Sequence, residues 1–173
     1  SAGISRGSLK YLTDTGRLDQ VSRGVYTLPE VWEDEFVSIQ ERYKRGVFAL
    51  DTALFLHDLT DRTPHKFHMA FPYGYNTSSP KAAGILCSCK KEPYYSLGIA
   101  LVDTPAGNTV RAYNAEKTLC EILKPISHTD IQIITDAFKR YAGRKDKNIP
   151  LLSEYAHQLR VEKRLRPYLE VLL

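Results

Sequence analysis

The sequence predicts an α+β protein: a small helix-and-hairpin unit followed by a mixed domain whose central, mostly antiparallel sheet is flanked by helices. Three observations predict it. Strand-like segments cluster in the middle of the chain, at 66–71, 85–89, 97–103 and 110–113, separated by Pro, Gly, Asn and Ser. From Asn114 onward the apolar spacing turns helical, over 115–123, 130–141 and 151–166, with Pro125 and Pro150 as punctuation. Pro167 is expected to end or kink the last of these helices. The first 29 residues carry a separate, self-contained pattern.

That pattern opens with Ser5, a good helix N-cap, followed by residues 6–15 with Leu9 and Leu12 on one face. Gly16 then closes the helix. Residues 18–28 read as two short alternating strands around the turn Ser22-Arg23-Gly24. Helix, glycine, then a β-hairpin with arginine at its tip is the second half of a winged helix-turn-helix. Pro29 ends the unit, so the expected organisation is a recognition helix and wing over 1–29 and a larger domain over 30–173. The chain opens Ser1-Ala2-Gly3-Ile4-Ser5, with no earlier element for a turn to connect, so the first helices of the small domain are expected to be missing. Downstream, 30–43 reads as a helix with Trp32, Phe36, Ile39 and Tyr43 at helical spacing. A short strand at 47–50 leads to Asp51, read as the N-cap of a compact helix through Leu59 that Pro64 prevents from continuing.

Composition narrows the functional classes. A chain of 173 residues with 43% hydrophobic and 25% charged residues suits one full domain and part of another. No run of 18 apolar residues exists to span a membrane, and no basic patch followed by an apolar stretch marks a signal peptide. Three cysteines argue against a secreted disulfide framework, so a cytoplasmic location is expected. The net charge of +4 is compatible with a nucleic-acid partner without requiring one.

In a helix-turn-helix the second helix enters the major groove and its N-terminal residues meet base edges. The residues so placed are Ser5, Arg6, Ser8 and Lys10, with Tyr11 and Arg17 further along. Arginine reads guanine bidentately, and serine bonds to bases or phosphates. Arg23 at the hairpin tip suits the minor groove or a phosphate. The plainer reading is a set of solvated polar side chains on a surface helix. A second basic group comprises Lys139, Arg140, Arg144, Lys145 and Lys147. Cations at a helix C-terminus are favoured by the dipole, which accounts for Lys139 and Arg140 without any partner; the others form a candidate phosphate or partner surface.

Enzyme readings are weaker. His65 and His68 lie three apart on an expected strand and so point to opposite faces, whereas a zinc pair needs an even offset. Cys87 and Cys89 share a strand face, with only Cys120 as a third thiol, and small buried cysteines are the commoner explanation. Asp58, Asp61 and Arg62 beside His57 read as a charged turn fixing a helix end. No nucleophile motif or phosphate loop is present, and no cofactor, metal or catalytic residue is expected. Two alternatives remain: a metal-dependent nuclease using Asp103, Glu116 and Lys117, and a ligand-sensing regulator with a pocket lined by Tyr73, Tyr75 and Tyr94.

Arg23-Gly24-Val25-Tyr26-Thr27-Leu28-Pro29 resembles the end of the winged helix in AbiEi-type antitoxins. The stretch from Ala49 to Pro64, ending Leu59-Thr60-Asp61-Arg62-Thr63-Pro64, is similar to that family's most distinctive segment. Phe71-Pro72-Tyr73-Gly74-Tyr75-Asn76, the run from Val110 to Glu121, and Arg160-Val161-Glu162-Lys163 also fit. The resemblance implies an N-terminal winged helix that binds inverted repeats in double-stranded promoter DNA and represses its own operon. It implies a C-terminal domain that counters a nucleotidyltransferase-like toxin without needing a stable complex, in a type IV toxin–antitoxin system tied to abortive infection and phage defence. Without the family's first helices, Leu9 and Leu12 lose part of their cover and DNA binding is expected to be weak.

Overall fold

In the computed structural model, residues 6–14, 18–27 and 33–172 are described. The chain divides into two compact units, Ser1–Lys44 and Arg45–Leu173. The boundary expected at 29/30 falls outside the described residues.

The first unit contains helix α1 (Arg6–Asp14), strands β1 (Asp19–Ser22) and β2 (Val25–Thr27), and helix α2 (Glu35–Arg42). The strands pair antiparallel, with a register shift between Gln20 and Ser22. Gly24 at the turn has φ +84, a left-handed conformation that glycine adopts without a Cβ penalty. The expected caps Ser5 and Gly16 lie outside the described residues, as does Trp32. The helix expected over 30–43 begins only at Glu35, because the Asp34 side chain accepts a bond from Phe36 N at 3.1 Å and caps it there.

The second unit is α+β, as expected. Its elements are β3 (Val47–Phe48), α3 (Leu50–Leu56), β4 (His68–Pro72), α4 (Ser78–Ala82), β5 (Leu86–Lys90), β6 (Ile99–Asp103), β7 (Thr109–Tyr113), α5 (Ala115–Ile122), α6 (Ile131–Ala142), α7 (Ile149–Gln158) and α8 (Glu162–Leu172). The five strands form one sheet in the order β5-β4-β3-β7-β6. The expected mostly antiparallel sheet is in fact evenly mixed: β3–β4 and β6–β7 are antiparallel, while β4–β5 and β3–β7 are parallel. Parallel neighbours need a crossover of about a dozen residues, commonly helical. Residues 73–85, carrying the short helix α4, supply one between β4 and β5. Periodicity read that segment as loop, so the parallel pairing was invisible in it.

Helix α5 is buried along its whole length. Asn114 starts it by accepting from Lys117 N at 2.8 Å. Its apolar residues Leu119, Cys120 and Ile122 join Leu54, Phe138, Leu152 and Leu165 in a core shared by α3, α6, α7 and α8. Asp130 and Asn148 cap α6 and α7 in the same manner as Asn114.

Three expectations about helices are corrected. Asp51 is not a cap: α3 begins at Leu50, and Asp51 sits in its first turn. The helix ends at Leu56 rather than Leu59, because Asp58 turns left-handed at φ +55, with Asp58 N bonded to Phe55 O (3.1 Å) and Leu59 N to Leu54 O (2.9 Å). The single helix expected over 151–166 is split by the same device: Arg160 has φ +58, and Val161 N bonds back to Ala156 O at 2.9 Å. Pro167, expected to end or kink the helix, lies inside α8. Pro167 has no N–H to give to Lys163 O, and α8 runs on past it to Leu172 without that bond.

Candidate nucleic-acid interface

At about 100° per residue, Leu9, Leu12 and Thr13 share the half-buried side of α1. Tyr11 and Asp14 lie on the opposite side, with Ser8 and Lys10 at its flanks; all four are exposed. Of the expected contact residues, Ser8, Lys10 and Tyr11 therefore reach solvent from one helix. Ser5, Arg17 and the side chain of Arg6 lie outside the described residues. Asp14 was missed: an acid beside this surface repels phosphate but can accept from a cytosine amino group. Thr13 Oγ1 donates to Leu9 O at 2.9 Å, and Leu18 N to Leu12 O at 3.0 Å, so the end of α1 is tied to the start of the hairpin. Arg23 is exposed at the hairpin tip.

The second basic group is engaged within its own unit. Arg144 forms a two-pronged pair with Asp146 at 2.8 and 2.7 Å and donates to His57 O at 2.9 Å. Asp146 is accordingly held down at about 2, chiefly by that hydrogen bonding. Arg140 pairs with Asp136 at 2.8 Å and reaches Asp61 at 3.8 Å. Lys147 donates to Ala142 O at 2.8 Å, satisfying a carbonyl at the end of α6. Lys139 and Lys145 are exposed. Most of this group fixes the α6–α7 loop onto the charged turn after α3.

The residues weighed for enzyme chemistry have structural partners. His57 Nε2 lies 2.7 Å from Tyr113 O, and burial lowers its pKa, so the imidazole is a neutral donor to that carbonyl. An open pocket of about 820 Å³ lies beside it, lined also by Asp58, Asp103, Arg144 and Asp146. Asp103 is exposed at the end of β6. Glu116 is buried and accepts from Tyr141 Oη at 2.7 Å, while the same hydroxyl accepts from Asn148 N at 2.7 Å. Cys87, Cys89 and Cys120 are free thiols. Among the described residues no group of three or more His, Cys, Asp or Glu is placed to hold a metal ion, and no helix is long and apolar enough to cross a membrane. Tyr73 and Tyr94 are exposed, and Tyr75 stacks on Phe71 at 4.6 Å.

One constellation escaped the sequence reading. Lys117 is fully buried and donates to Tyr94 O (2.8 Å) and Leu97 O (3.0 Å); its Nζ lies 3.4 Å from Glu121 Oε1 and 4.0 Å from the Tyr113 ring centre. Glu121 Oε2 in turn accepts from Lys90 at 3.0 Å. Burial lowers Lys117 to about 8 against the pull of Glu121. Burial opposes ionisation of Glu121, but Lys90, Lys117 and Lys124 overcome it and leave its pKa lowered. The signal available was the i, i+4 spacing of Lys117 and Glu121 on a helix with no exposed face.

No curated protein matches the chain. A crystal structure of the RV2827C protein from Mycobacterium tuberculosis is similar, with a TM-score of 0.55 over 97% of this chain and 70% of that one, at 14% identity. Such a likeness shows the fold alone. The N-terminal segment gives a more direct assignment: residues 1–29 match the family model described as transcriptional regulator, AbiEi antitoxin.

Proposed function

We propose that the protein is a non-catalytic antitoxin and transcriptional autorepressor of a type IV toxin–antitoxin operon, acting in the cytoplasm. Its recognition helix and wing, 1–29, bind inverted repeats in double-stranded promoter DNA; the larger domain, 30–173, counters a nucleotidyltransferase-like toxin without requiring a stable complex. The observation that carries this reading is the coincidence of the family match over 1–29 with a helix and hairpin that expose Ser8, Lys10, Tyr11 and Arg23. Arg6, Arg17 and Ser5 complete the proposed contact set. Lys139 and Lys145 are at most accessory, since their neighbours Arg140, Arg144 and Lys147 have internal partners.

The test is a mobility-shift titration of full-length protein on its own upstream repeat across a salt series. For about five phosphate contacts the log–log slope is roughly −4 to −5. Lys10→Ala and Arg23→Ala weaken binding and flatten that slope. A protein that ignores its promoter at low salt loses the repressor half of the proposal. The antitoxin half is tested by co-expression with the neighbouring nucleotidyltransferase gene, and unchanged toxicity rejects it.

A further inference from the structure

The family pattern around Phe71–Asn76 and the buried Lys117 network are not absorbed by duplex binding through α1, yet both are bonded to the segment 90–97 of the second unit. Tyr73 N bonds to Lys90 O at 2.9 Å, extending the β4–β5 ladder beyond its last strand residues. Gly74 follows with φ +84, and Tyr75 N closes the turn onto Pro72 O at 3.0 Å, leaving Tyr73 at the tip with 70% of its surface exposed. Lys91 lies over the Tyr73 ring at 4.9 Å. The next turn, where Tyr95 N bonds to Lys91 O at 3.1 Å, presents Tyr94, 39% exposed, with Lys124 at 6.0 Å from its ring. Lys117 holds that turn from beneath through the carbonyls of Tyr94 and Leu97.

We infer that Tyr73, Tyr94, Lys91 and Lys124 form a second nucleic-acid surface, one that binds single strands. Single-strand sites combine sequence-tolerant aromatic platforms with cations that follow the backbone. Here two tyrosine faces stand on turns fixed by main-chain bonds, so little ordering is needed to receive a base. Each has a lysine at cation–π distance that can shift from the ring to a phosphate. The charge is complementary: Lys91 and Lys124 stand beside the two rings, against Glu92, which bonds Ser96 at 2.6 Å, while Lys90 and the buried Lys117 pair with Glu121. Duplex DNA keeps its bases stacked and offers these rings nothing to stack on, which distinguishes this surface from the proposed α1 interface.

The test uses the whole chain with fluorescein-labelled oligo(dT), oligo(U) and a duplex of the same length, read by anisotropy at low salt. Wild type binds the single strands. Tyr73→Ala and Tyr94→Ala each weaken that binding about 5- to 160-fold, as expected for loss of one stacked base, and Tyr73→Phe retains it because the hydroxyl is not the contact. Lys91→Ala lowers the salt slope by about 0.7, whereas Lys10→Ala leaves single-strand binding unchanged, which separates this inference from the proposed duplex function. Far-UV circular dichroism and thermal melting check that each variant folds. Absence of single-strand binding overturns the inference, as does binding that Tyr73→Ala and Tyr94→Ala leave intact or that Lys10→Ala removes.

Discussion

Lys117→Met tests whether the buried ion network holds the second unit together. Methionine keeps most of the side-chain volume but removes the ammonium. The carbonyls of Tyr94 and Leu97 then lose donors at 2.8 and 3.0 Å, at about 1–3 kcal/mol for each buried acceptor left unsatisfied. Glu121 keeps only Lys90 as an ion-pair partner, at 3.0 Å, with the lysine side chain 17% exposed. Removing the buried charge returns part of this loss, so the net destabilisation is about 3–5 kcal/mol, the range for breaking one side of a buried pair. Against a typical total of about 5–15 kcal/mol that is a large fraction. Urea unfolding followed by far-UV circular dichroism gives the midpoint and slope, and amide exchange in α5 localises the effect. The coupling is read from a cycle with Glu121→Gln: the double variant should lose less than the two single losses added together. A Lys117→Met protein within 1 kcal/mol of wild type would refute the reasoning, because it would mean that the two carbonyls and Glu121 find other partners at no cost.

Other expectations concern acid, glycine and helix ends. Burial, helped by Lys90, lowers His68 to about 4 from 6.5, and its Nε2 is buried without a hydrogen-bond partner. Between pH 6.5 and 4 the unfolded chain binds a proton that the folded chain refuses, so stability falls as pH drops through that window, by up to about 3 kcal/mol from this group. Urea midpoints at pH 7, 5.5 and 4.5 should converge between wild type and His68→Gln as the pH falls; parallel curves would count against the assignment. Gly98→Ala should cost about 2–4 kcal/mol, since φ is +79 and a Cβ would meet Lys117 Cβ at 2.7 Å. Gly46→Ala should cost less, because the nearest atom, at 2.5 Å, is the flexible end of Met69. Thermal melting that reverses this order contradicts the argument. Arg160→Gly, at φ +58 on the surface, should raise stability by about 0.5–1 kcal/mol by relieving left-handed strain, and a lower melting temperature would sink that prediction.

Local chemistry was legible in part. The helices that Asn114 and Asp130 begin, each by accepting from an amide two or three residues on, were read close to their starts, whereas Asp34 and Asn148 went unread as caps. The exposed polar side of α1 and the arginine at the hairpin tip are likewise local patterns. What stayed hidden depends on residues distant in sequence. Asp58 and Arg160 end helices in a conformation that glycine usually takes, and only the surrounding packing selects it at these residues. The direction of β5 relative to β4 is set by a crossover whose short helix α4 is too brief to show a period. Arg144 read as part of a candidate phosphate or partner surface until the fold brings the His57 carbonyl to it. The sequence by itself thus determined the α+β class, the existence of most helices and the polar side of the N-terminal helix, because these follow from propensity and period. Tertiary structure alone decided which charges are buried and which distant partners they meet. The energy of a charge depends on its neighbours and its burial, and for Lys117 both come from residues up to 23 positions away.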